Sequence, residues 1–317
     1  MNTILIAGAG QLGSRHLQGV KLSQNELDIW VYDLSIDSLK VAEERYNQVN
    51  SPNNKTVHFV TSLDEVPEFI DVAIVASSSK PRYAIVTSIL KDHSVKYMVL
   101  EKFLFPRLSD YDEIKVLLEE KNVSAFVNCP RRMFESYNLI KSLIDTNKPI
   151  TYFYEEKDWG LCCNSIHYID IFMMLTGSNS YYLNLDDIET QIVESKRKGY
   201  VEFYGREIVT TSKGDKLILS CPSDYEGEPK ISIDNGTTHI EMNESTGDVF
   251  INGEKKTTTV QYQSSLSGKV VDSLLETGKC SLTQYAESAE YHKIFLNKVV
   301  PFINNITGSD SDSCPIT

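Results

Sequence analysis

The sequence predicts an α/β protein: a doubly wound parallel sheet followed by an α+β domain with a large, mostly antiparallel open sheet. Three observations support this fold class. Short, almost purely apolar runs alternate with helical stretches over residues 1–128. A glycine-rich turn joins the first of these runs to a helix. Between residues 187 and 262, β-rich runs follow one another with glycine-containing turns between them.

The first part of the chain contains six predicted strands with helices between them. Runs such as ILIA, VAIVA and YMVL lack polar positions, which indicates strands buried on both faces of a sheet. The predicted strands span residues 3–7, 27–33, 57–60, 71–76, 97–101 and 124–128. The predicted helices span residues 11–20, 36–48, 81–91 and 110–120. We therefore expect residues 1–128 to form one domain.

The pattern changes after residue 128, and we expect residues 129–317 to form a second domain. It opens with a helix over 133–144, a strand over 150–156 and a strongly apolar helix over 162–175. Eight β-rich runs between residues 187 and 262 predict an antiparallel meander. Helices over 264–277 and 283–300 follow. The tail, residues 308–317, is polar, and we expect it to fray.

Composition narrows the possible functions. The chain has 317 residues, with 31 Lys and Arg against 44 Asp and Glu and a net charge of −13. A surface this acidic repels phosphate backbones, so we expect no nucleic-acid partner. No apolar run approaches the roughly 18 residues of a membrane helix, and the opening MNTILIAGAG is unlike a signal peptide. The six cysteines form no CxxC pair, so we expect reduced thiols, no metal site and a cytoplasmic location.

A dinucleotide-binding motif follows the first predicted strand. Gly8 permits a tight turn, Gly10 lets the backbone approach a pyrophosphate, and Gly13 allows close packing of helix on strand. Asp33 lies 20 residues after Gly13, where a carboxylate accepts hydrogen bonds from the adenosine ribose. The residues of this region that are predicted to bind the dinucleotide are Gly8, Gly10, Gln11, Leu12, Gly13 and Asp33. No arginine directly follows Asp33 to hold a 2′-phosphate, which favours NAD over NADP.

Four segments resemble the Gfo/Idh/MocA oxidoreductases, a family that includes glucose–fructose oxidoreductase and inositol dehydrogenase. They are GAGQLGSRH, DVAIVASSSKPRY, YMVLEKFLFP and VNCPRRMFESY. The resemblance covers residues 1–175, and beyond them only the strand-rich pattern is similar. It implies a Rossmann domain over 1–128 and a substrate-binding and oligomerisation domain over 129–317. It also implies that Ser77, Ser78, Glu101 and Lys102 contact the cofactor.

Lys102 and His167 are the predicted catalytic residues. Lys102 follows the fifth strand, at the edge where open α/β sheets bind ligands. Its ammonium group can hydrogen-bond a substrate hydroxyl and stabilise the developing alkoxide; the alternative is an ordinary surface lysine. His167 lies in a segment that resembles the family's G-x-x-x-D-x-G-x-H-x-x-D helix. A histidine there can take the hydroxyl proton, and the alternative is a hydrogen-bonded core histidine.

The chain departs from the family pattern at two of these places. Cys163 stands where the family has an aspartate, and Phe103 stands where it has a proline. A thiol is not the same fixed anion unless it is deprotonated. Arg131 can face an anionic group or form a local salt bridge, and Asn164 can offer an amide to a sugar hydroxyl. The predicted substrate-binding residues are Arg131, Asp158, Trp159, Cys163 and Asn164.

These observations predict an NAD-dependent oxidoreductase that oxidises a secondary alcohol of a sugar, cyclitol or nucleotide sugar. Two alternatives share the scaffold: an NAD-dependent glycoside hydrolase and a non-catalytic NAD-binding sensor. The resemblance also implies a homodimer or homotetramer, and we expect a small carbohydrate-type substrate as the partner, with no membrane partner.

Overall fold

The computed structural model describes residues 1–316, which form two compact units. Unit 1 comprises Met1–Phe105, Ser109–Pro130 and Gln261–Ala286. Unit 2 comprises Pro106–Leu108, Arg131–Val260 and the described residues from 287 onward. Residues 261–286 thus return to unit 1 after the chain has passed through unit 2.

Unit 1 is built on a seven-stranded sheet with the order β15-β6-β5-β4-β1-β2-β3. Strands β1 to β6 pair in parallel, and β15 is antiparallel to β6. The strands are β1 (Asn2–Ala7), β2 (Leu27–Tyr32), β3 (Lys55–Val60), β4 (Phe69–Val75), β5 (Ser94–Glu101), β6 (Ser124–Asn128) and β15 (Thr283–Gln284). The helices are α1 (Gln11–Lys21), α2 (Ile36–Asn47), α3 (Ser79–Asp92), α4 (Leu108–Glu120) and α7 (Gln263–Thr277).

The strand order reverses between β1 and β4, and this reversal defines where a ligand can bind. Both strands are apolar and almost fully buried, as the sequence predicts for a sheet covered on both faces. At such a reversal the connecting helices leave on opposite faces, so a crevice opens at the carboxyl ends of the strands. The loops after β1, β4 and β5 therefore border the expected ligand site of unit 1.

Helix α7 belongs to unit 1 because it packs very closely on α1. A Cβ on Gly268 would lie 2.4 Å from the carbonyl oxygen of Gly19, so two glycines set this approach. At the far end of the contact, Asp272 accepts hydrogen bonds from Gln24 N at 2.9 Å and from Asn25 Nδ2 at 2.8 Å. These contacts join residues about 250 positions apart, so local sequence pattern did not predict them.

Unit 2 is built on an eight-stranded sheet with the order β14-β13-β12-β11-β7-β10-β9-β8. Only β7 and β10 pair in parallel. The strands are β7 (Thr151–Glu155), β8 (Tyr182–Glu194), β9 (Val201–Thr210), β10 (Lys216–Cys221), β11 (Lys230–Asp234), β12 (His239–Asn243), β13 (Asp248–Ile251) and β14 (Glu254–Thr257). The helices are α5 (Glu135–Leu143), α6 (Leu161–Thr176) and α8 (Tyr285–Thr307), which begins in unit 1. The two sheets confirm the predicted fold class.

Helix α6 is the central helix of unit 2. It is apolar on almost every side and packs against β9 and β10, which explains its burial along nearly its whole length. Its first residue follows Gly160, whose φ of +75° places it in the left-handed region. This helix carries the predicted residues Cys163, Asn164 and His167.

The prediction that the tail frays is wrong for its described part. Cys314 and Ile316 are fully buried. Cys314 N donates a hydrogen bond to Pro106 O at 2.8 Å, and Val201 N donates one to Pro315 O at 2.9 Å. The two apolar side chains and these backbone bonds hold the segment, although serine and aspartate dominate its composition. Thr317 lies outside the described residues, and within the described part no helix is long and apolar enough to cross a membrane.

Candidate active site

The glycine turn between β1 and α1 has the shape that a pyrophosphate needs. Gly8 has a φ of +104°, which residues with a side chain rarely adopt. A Cβ on Gly13 would lie 1.8 Å from Gly8 O, so only glycine lets α1 approach this closely. A Cβ on Gly10 would meet no atom of the described residues within 4 Å. The backbone at Gly10 therefore borders open space where a phosphate can approach.

The start of α1 offers backbone donors to an anion. Gly10 is the N-cap of α1 and provides no side-chain cap, and the first turn has no acidic residue. The N–H groups of such a turn carry partial positive charge. The Gln11 side chain is already engaged, because Arg45 Nη2 donates to Gln11 Oε1 at 2.5 Å. The backbones of Gln11 and Leu12 are therefore better placed than the Gln11 side chain to hold a phosphate.

Asp33 lies directly beside the glycine turn, as the sequence predicts. Its Oδ2 accepts a hydrogen bond from Ala9 N at 2.7 Å, and its Oδ1 accepts one from Ser35 N at 2.8 Å. Each carboxylate oxygen has further lone pairs, so the two bonds orient the group and leave acceptors for ribose hydroxyls. The structure thus brings together the two parts of the motif.

The loop after β4 closes the other side of the glycine turn. A Cβ on Gly8 would lie 3.0 Å from Ser77 N, so this loop touches the turn. Ser77 Oγ is buried and has no hydrogen-bond partner in the part of the chain that the structure describes. Ser78 is the N-cap of α3 and makes no side-chain capping bond. These hydroxyls suit a polar ligand in the crevice, and the dinucleotide fits these residues.

Arg82 ties this loop to the segment after β5. Its side chain is buried, with an exposed fraction of 1%. It donates hydrogen bonds to the backbone carbonyls of Ser77, Phe103 and Leu104. The peptide bond between Lys102 and Phe103 is cis. Arg82 thus connects the loops after β4 and β5 through its guanidinium group.

Glu101 ends β5 inside a ring of buried polar side chains from α1, β6 and α7. Glu101 Oε1 lies 2.7 Å from His16 Nε2 and accepts a hydrogen bond from Asn128 Nδ2. Asn128 also donates to Gln263 Oε1 at 2.8 Å, and His16 Nδ1 lies 2.9 Å from Ser267 Oγ. We call these five residues the Glu101 ring. The carboxylate that the resemblance assigns to the cofactor is thus bonded within the protein.

The Glu101 ring fixes a negative charge next to Lys102 in the chain. Burial acts to raise the pKa of Glu101, but His16, Asn128 and the charge of Arg82 outweigh it and hold this pKa below its ordinary value. Glu101 is therefore ionised at neutral pH. Lys102 follows it directly and is half-buried. Its position at the carboxyl end of β5 is the one that the sequence predicts.

The loop before α6 is ordered by its own polar contacts. Asp158 has a φ of +50°, and its Oδ1 accepts a hydrogen bond from the hydroxyl of Tyr204 at 2.8 Å. Trp159 Nε1 donates to Ser220 O at 3.0 Å, and its ring packs edge-on against Tyr154 at a centroid distance of 4.7 Å. Asp158 is exposed and Trp159 is half-buried. Both residues therefore border solvent at the start of α6.

The first two turns of α6 place three predicted residues on one face. Cys163, Asn164 and His167 are half-buried, whereas most of the helix is buried. Asn164 Nδ2 donates to Trp159 O at 2.6 Å, so its amide holds the preceding loop. Asp170, three residues after His167, is buried and pairs with Arg132 Nε at 2.8 Å. The structure therefore gives Asp170 a structural partner.

Arg131, a predicted substrate residue, is bonded inside unit 2. Its guanidinium group contacts both oxygens of Glu244, at 2.8 and 2.9 Å, and donates to the hydroxyl of Tyr168 at 2.9 Å. Tyr137 donates to the same carboxylate at 2.6 Å. Glu244 is 113 positions away in sequence, so no local pattern could identify it. The local salt bridge, one of the two interpretations of Arg131, is present in the structure.

A sequence comparison with protein families matches the first part of the chain. The profile described as "Oxidoreductase family, NAD-binding Rossmann fold" of the Gfo/Idh/MocA proteins matches residues 2–129. Residues 2–129 therefore match the NAD-binding domain of the Gfo/Idh/MocA oxidoreductases. This result confirms the resemblance, the enzyme class and the NAD cofactor that the sequence predicts. No curated protein sequence matches the chain significantly.

Solved structures share the fold of the whole chain. An oxidoreductase from Agrobacterium radiobacter in complex with NAD+, L-tartaric acid and magnesium has a TM-score of 0.73 at 15% identity, covering 96% of each chain. The UDP-N-acetylglucosamine 3-dehydrogenase GnnA from Acidithiobacillus ferrooxidans has a TM-score of 0.71 at 13% identity, covering 96% of this chain and 99% of that one. The WlbA dehydrogenase from Bordetella pertussis with NADH and UDP-GlcNAcA has a TM-score of 0.71 at 14% identity, covering 96% of each chain.

These structures share the fold of both units of the chain. Residues 131–260, which the family profile does not reach, adopt the second half of that fold. No group of three or more metal-ligating side chains occurs among residues 1–316.

Proposed function

We propose that this Gfo/Idh/MocA oxidoreductase interconverts a secondary alcohol and a ketone on a sugar, cyclitol or nucleotide sugar. The observation that carries the proposal is the position of Lys102. It follows β5 at the carboxyl edge of a sheet whose order reverses between β1 and β4, and the glycine turn after β1 lies at the same edge. The resemblance of the fold to GnnA and to the WlbA complex supports a nucleotide sugar within this substrate class.

The chemistry assigned to this chain's own residues is proton handling and charge stabilisation. NAD, when bound, supplies the hydride acceptor. The Lys102 ammonium donates a hydrogen bond to the substrate oxygen and stabilises negative charge as it develops there. The His167 imidazole accepts the hydroxyl proton in the direction of oxidation and returns it in the direction of reduction. The carbon thus loses one hydride and the oxygen one proton, which converts the alcohol into a ketone.

The test compares isosteric variants under saturating NAD+. Sugars, cyclitols and UDP-sugars are screened for NADH formation with the unaltered chain, and the best substrate is used for Lys102→Met and His167→Gln. Each substitution should lower kcat by roughly 10²–10⁴-fold. His167→Gln should leave the Kd for NADH within about twofold, because the lost group acts on the substrate. Lys96→Met, at an exposed lysine of β5, and His239→Gln, at an exposed histidine of unit 2, are matched controls.

Unchanged turnover in either catalytic variant removes that residue from the proposed mechanism. NADH binding without hydride exchange with any polyol or sugar ketone would contradict the proposal and favour the sensor. Hydrolysis of a glycoside without net NADH would favour the hydrolase.

Cofactor binding has a separate test at the glycine turn. Gly10→Ala adds a methyl group to open space, so the folded protein should keep its stability while the Kd for NADH rises at least about tenfold. Gly13→Ala forces its methyl group against Gly8 O and should destabilise unit 1. Fluorescence titration and urea unfolding separate the two effects. Equal loss of stability in both variants would show that Gly10 is only structural.

A further inference from the structure

Lys102 is the one half-buried residue in a short stretch that is otherwise buried. Its side chain is partly exposed at the carboxyl end of β5. The residues on both sides of it, Glu101, Phe103, Leu104 and Phe105, have exposed fractions of 2% or less. Within this stretch, Lys102 alone therefore reaches solvent, and its position depends on how the buried residues around it are held.

The backbone around Lys102 is anchored at two ends by side chains from elsewhere in unit 1. On the amino side, the Glu101 carboxylate is bonded in the Glu101 ring. On the carboxyl side, the Tyr111 hydroxyl donates a hydrogen bond to Phe105 O at 2.9 Å. Residues 102–104 lie between these two anchors, so a contact to this segment decides where Lys102 lies.

Arg82 makes that contact. Its Nη1 donates hydrogen bonds to Phe103 O and to Leu104 O, the second at 2.8 Å. Its Nη2 donates to Ser77 O. A guanidinium group is planar and its donors form a rigid fork, so one side chain can hold three carbonyl groups at once. Because Phe103 follows Lys102 directly, these bonds restrain the chain at the point where it leaves Lys102.

The charge of Arg82 is compensated inside unit 1. A cationic side chain that is 1% exposed is costly to bury unless hydrogen bonds and an opposite charge replace water. Three carbonyl groups accept its N–H groups. Against burial, which raises it, the pKa of Glu101 is lowered by His16, by Asn128 and also by the charge of Arg82. Arg82 and Glu101 thus attract each other from the two sides of Lys102.

We propose that Arg82 is a positioning residue for Lys102, which joins the loops after β4 and β5 so that the backbone at Lys102 keeps one place relative to the glycine turn. The family pattern has a proline at position 103, and a proline ring fixes φ. Phe103 lacks that restraint, and the hydrogen bond from Arg82 acts on the same residue. Ser77, held by the same guanidinium group, borders Gly8 of the turn. The inference rests on the proposed function, in which Lys102 acts on the substrate oxygen.

The first test measures backbone hydrogen exchange by mass spectrometry in Arg82→Ala. Loss of the three hydrogen bonds should speed exchange at least about tenfold in peptides containing residues 77–79 and 102–105, with no change in the rest of unit 1. Lys91→Ala, at an exposed lysine of α3, is the matched control and should alter neither segment. Faster exchange throughout unit 1, or unchanged exchange in the two segments, would overturn the proposal.

The second test is a double-mutant cycle on kcat with Lys102→Met, at saturating NAD+. Arg82→Ala alone should lower kcat by roughly 10–100-fold, because a small displacement of a group at the reacting atoms is costly. In the Lys102→Met background it should lower kcat by less than about threefold, because the group that Arg82 positions is already absent. Equal losses in both backgrounds would mean that Arg82 acts independently of Lys102, and the proposal would be wrong.

Should Arg82→Ala not fold, Arg82→Lys takes its place in both tests. An ammonium group is compact and lacks the planar fork, so exchange in the same two segments should still rise at least about threefold. Unchanged exchange in this variant would also contradict the proposal. Unchanged kcat in Lys102→Met would contradict the proposed function instead, since the exchange measurement reports on Arg82 whether or not Lys102 is catalytic.

Discussion

Glu101 in unit 1 and Glu207 in unit 2 are both buried carboxyl groups, yet their pKa values are shifted in opposite directions. Glu101 is 2% exposed and Glu207 is fully buried. The pKa of Glu101 lies below its ordinary value, whereas the pKa of Glu207 is raised to about 8. Burial raises the pKa in both cases, so burial does not decide the outcome.

The partners of the two groups make the difference. Glu101 meets an imidazole at 2.7 Å and an amide N–H donor, with the charge of Arg82 nearby. Glu207 meets a hydroxyl and a thiol, and the closest charge is the negative one of Glu202. A buried carboxyl group therefore stays ionised only where a cation or strong donors replace water. Three experiments test this comparison.

The largest effect is expected at the Glu101 ring. His16→Leu removes the imidazole partner of a buried anion and should destabilise unit 1 by about 3–5 kcal/mol, because that contact is not replaced by water. The chain has two tryptophans, Trp30 in unit 1 and Trp159 in unit 2, so urea unfolding in a Trp159→Phe background reports on unit 1. Lys40→Gln, in an exposed ion pair, should cause no measurable change. A loss below about 1 kcal/mol in His16→Leu would contradict an ionised Glu101.

The next effect concerns Glu207 and depends on pH. Because its pKa in the folded chain is about 8, above the ordinary 4.5, its contribution to stability is complete below pH 4.5 and is lost as the pH rises through 8. Glu207→Gln has no such loss, so its stability relative to the unaltered chain should increase by up to about 1.4 kcal/mol per pH unit between pH 5 and 8. Unfolding followed through Trp159 in a Trp30→Phe background measures this. If the stabilities of Glu207→Gln and of the unaltered chain changed in parallel with pH, the raised pKa of Glu207 would be contradicted.

The smallest effect compares two buried hydroxyls that contact these groups. Ser165→Ala leaves Glu207 without its hydroxyl partner and should destabilise unit 2 by about 1–3 kcal/mol. Ser267→Ala should cost less, about 0.5–1 kcal/mol, because Gln263 Nε2 lies 3.4 Å from His16 Nδ1 and can replace the lost hydrogen bond. Urea unfolding of Ser165→Ala is followed in the Trp30→Phe background, and that of Ser267→Ala in the Trp159→Phe background. A larger loss of stability in Ser267→Ala than in Ser165→Ala would mean that the Glu101 ring depends on its hydroxyl partner more than Glu207 does.

Much of unit 1 could be predicted from the sequence because its signals are local. The glycine motif and Asp33 both lie within the first 33 residues, and the apolar runs recur along residues 1–128. The structure forms strands at these runs and places Asp33 beside the glycine turn. Lys102 was predicted from its place after β5. In contrast, the membership of α7 in unit 1 depends on Gly19 and Gly268, which are too far apart in sequence for any periodicity to connect them.

The sequence by itself determined the alternation of strands and helices, the dinucleotide motif and the residue types available for chemistry. Only the tertiary structure decided which of those side chains have internal partners: Glu101 with His16, Arg131 with Glu244, and Cys163 with Glu202 through its backbone N–H. It also decided which carboxyl groups are charged. The physical reason is that hydrogen-bond partners, burial and neighbouring charges come from residues distant in the chain, and these set the state of each group.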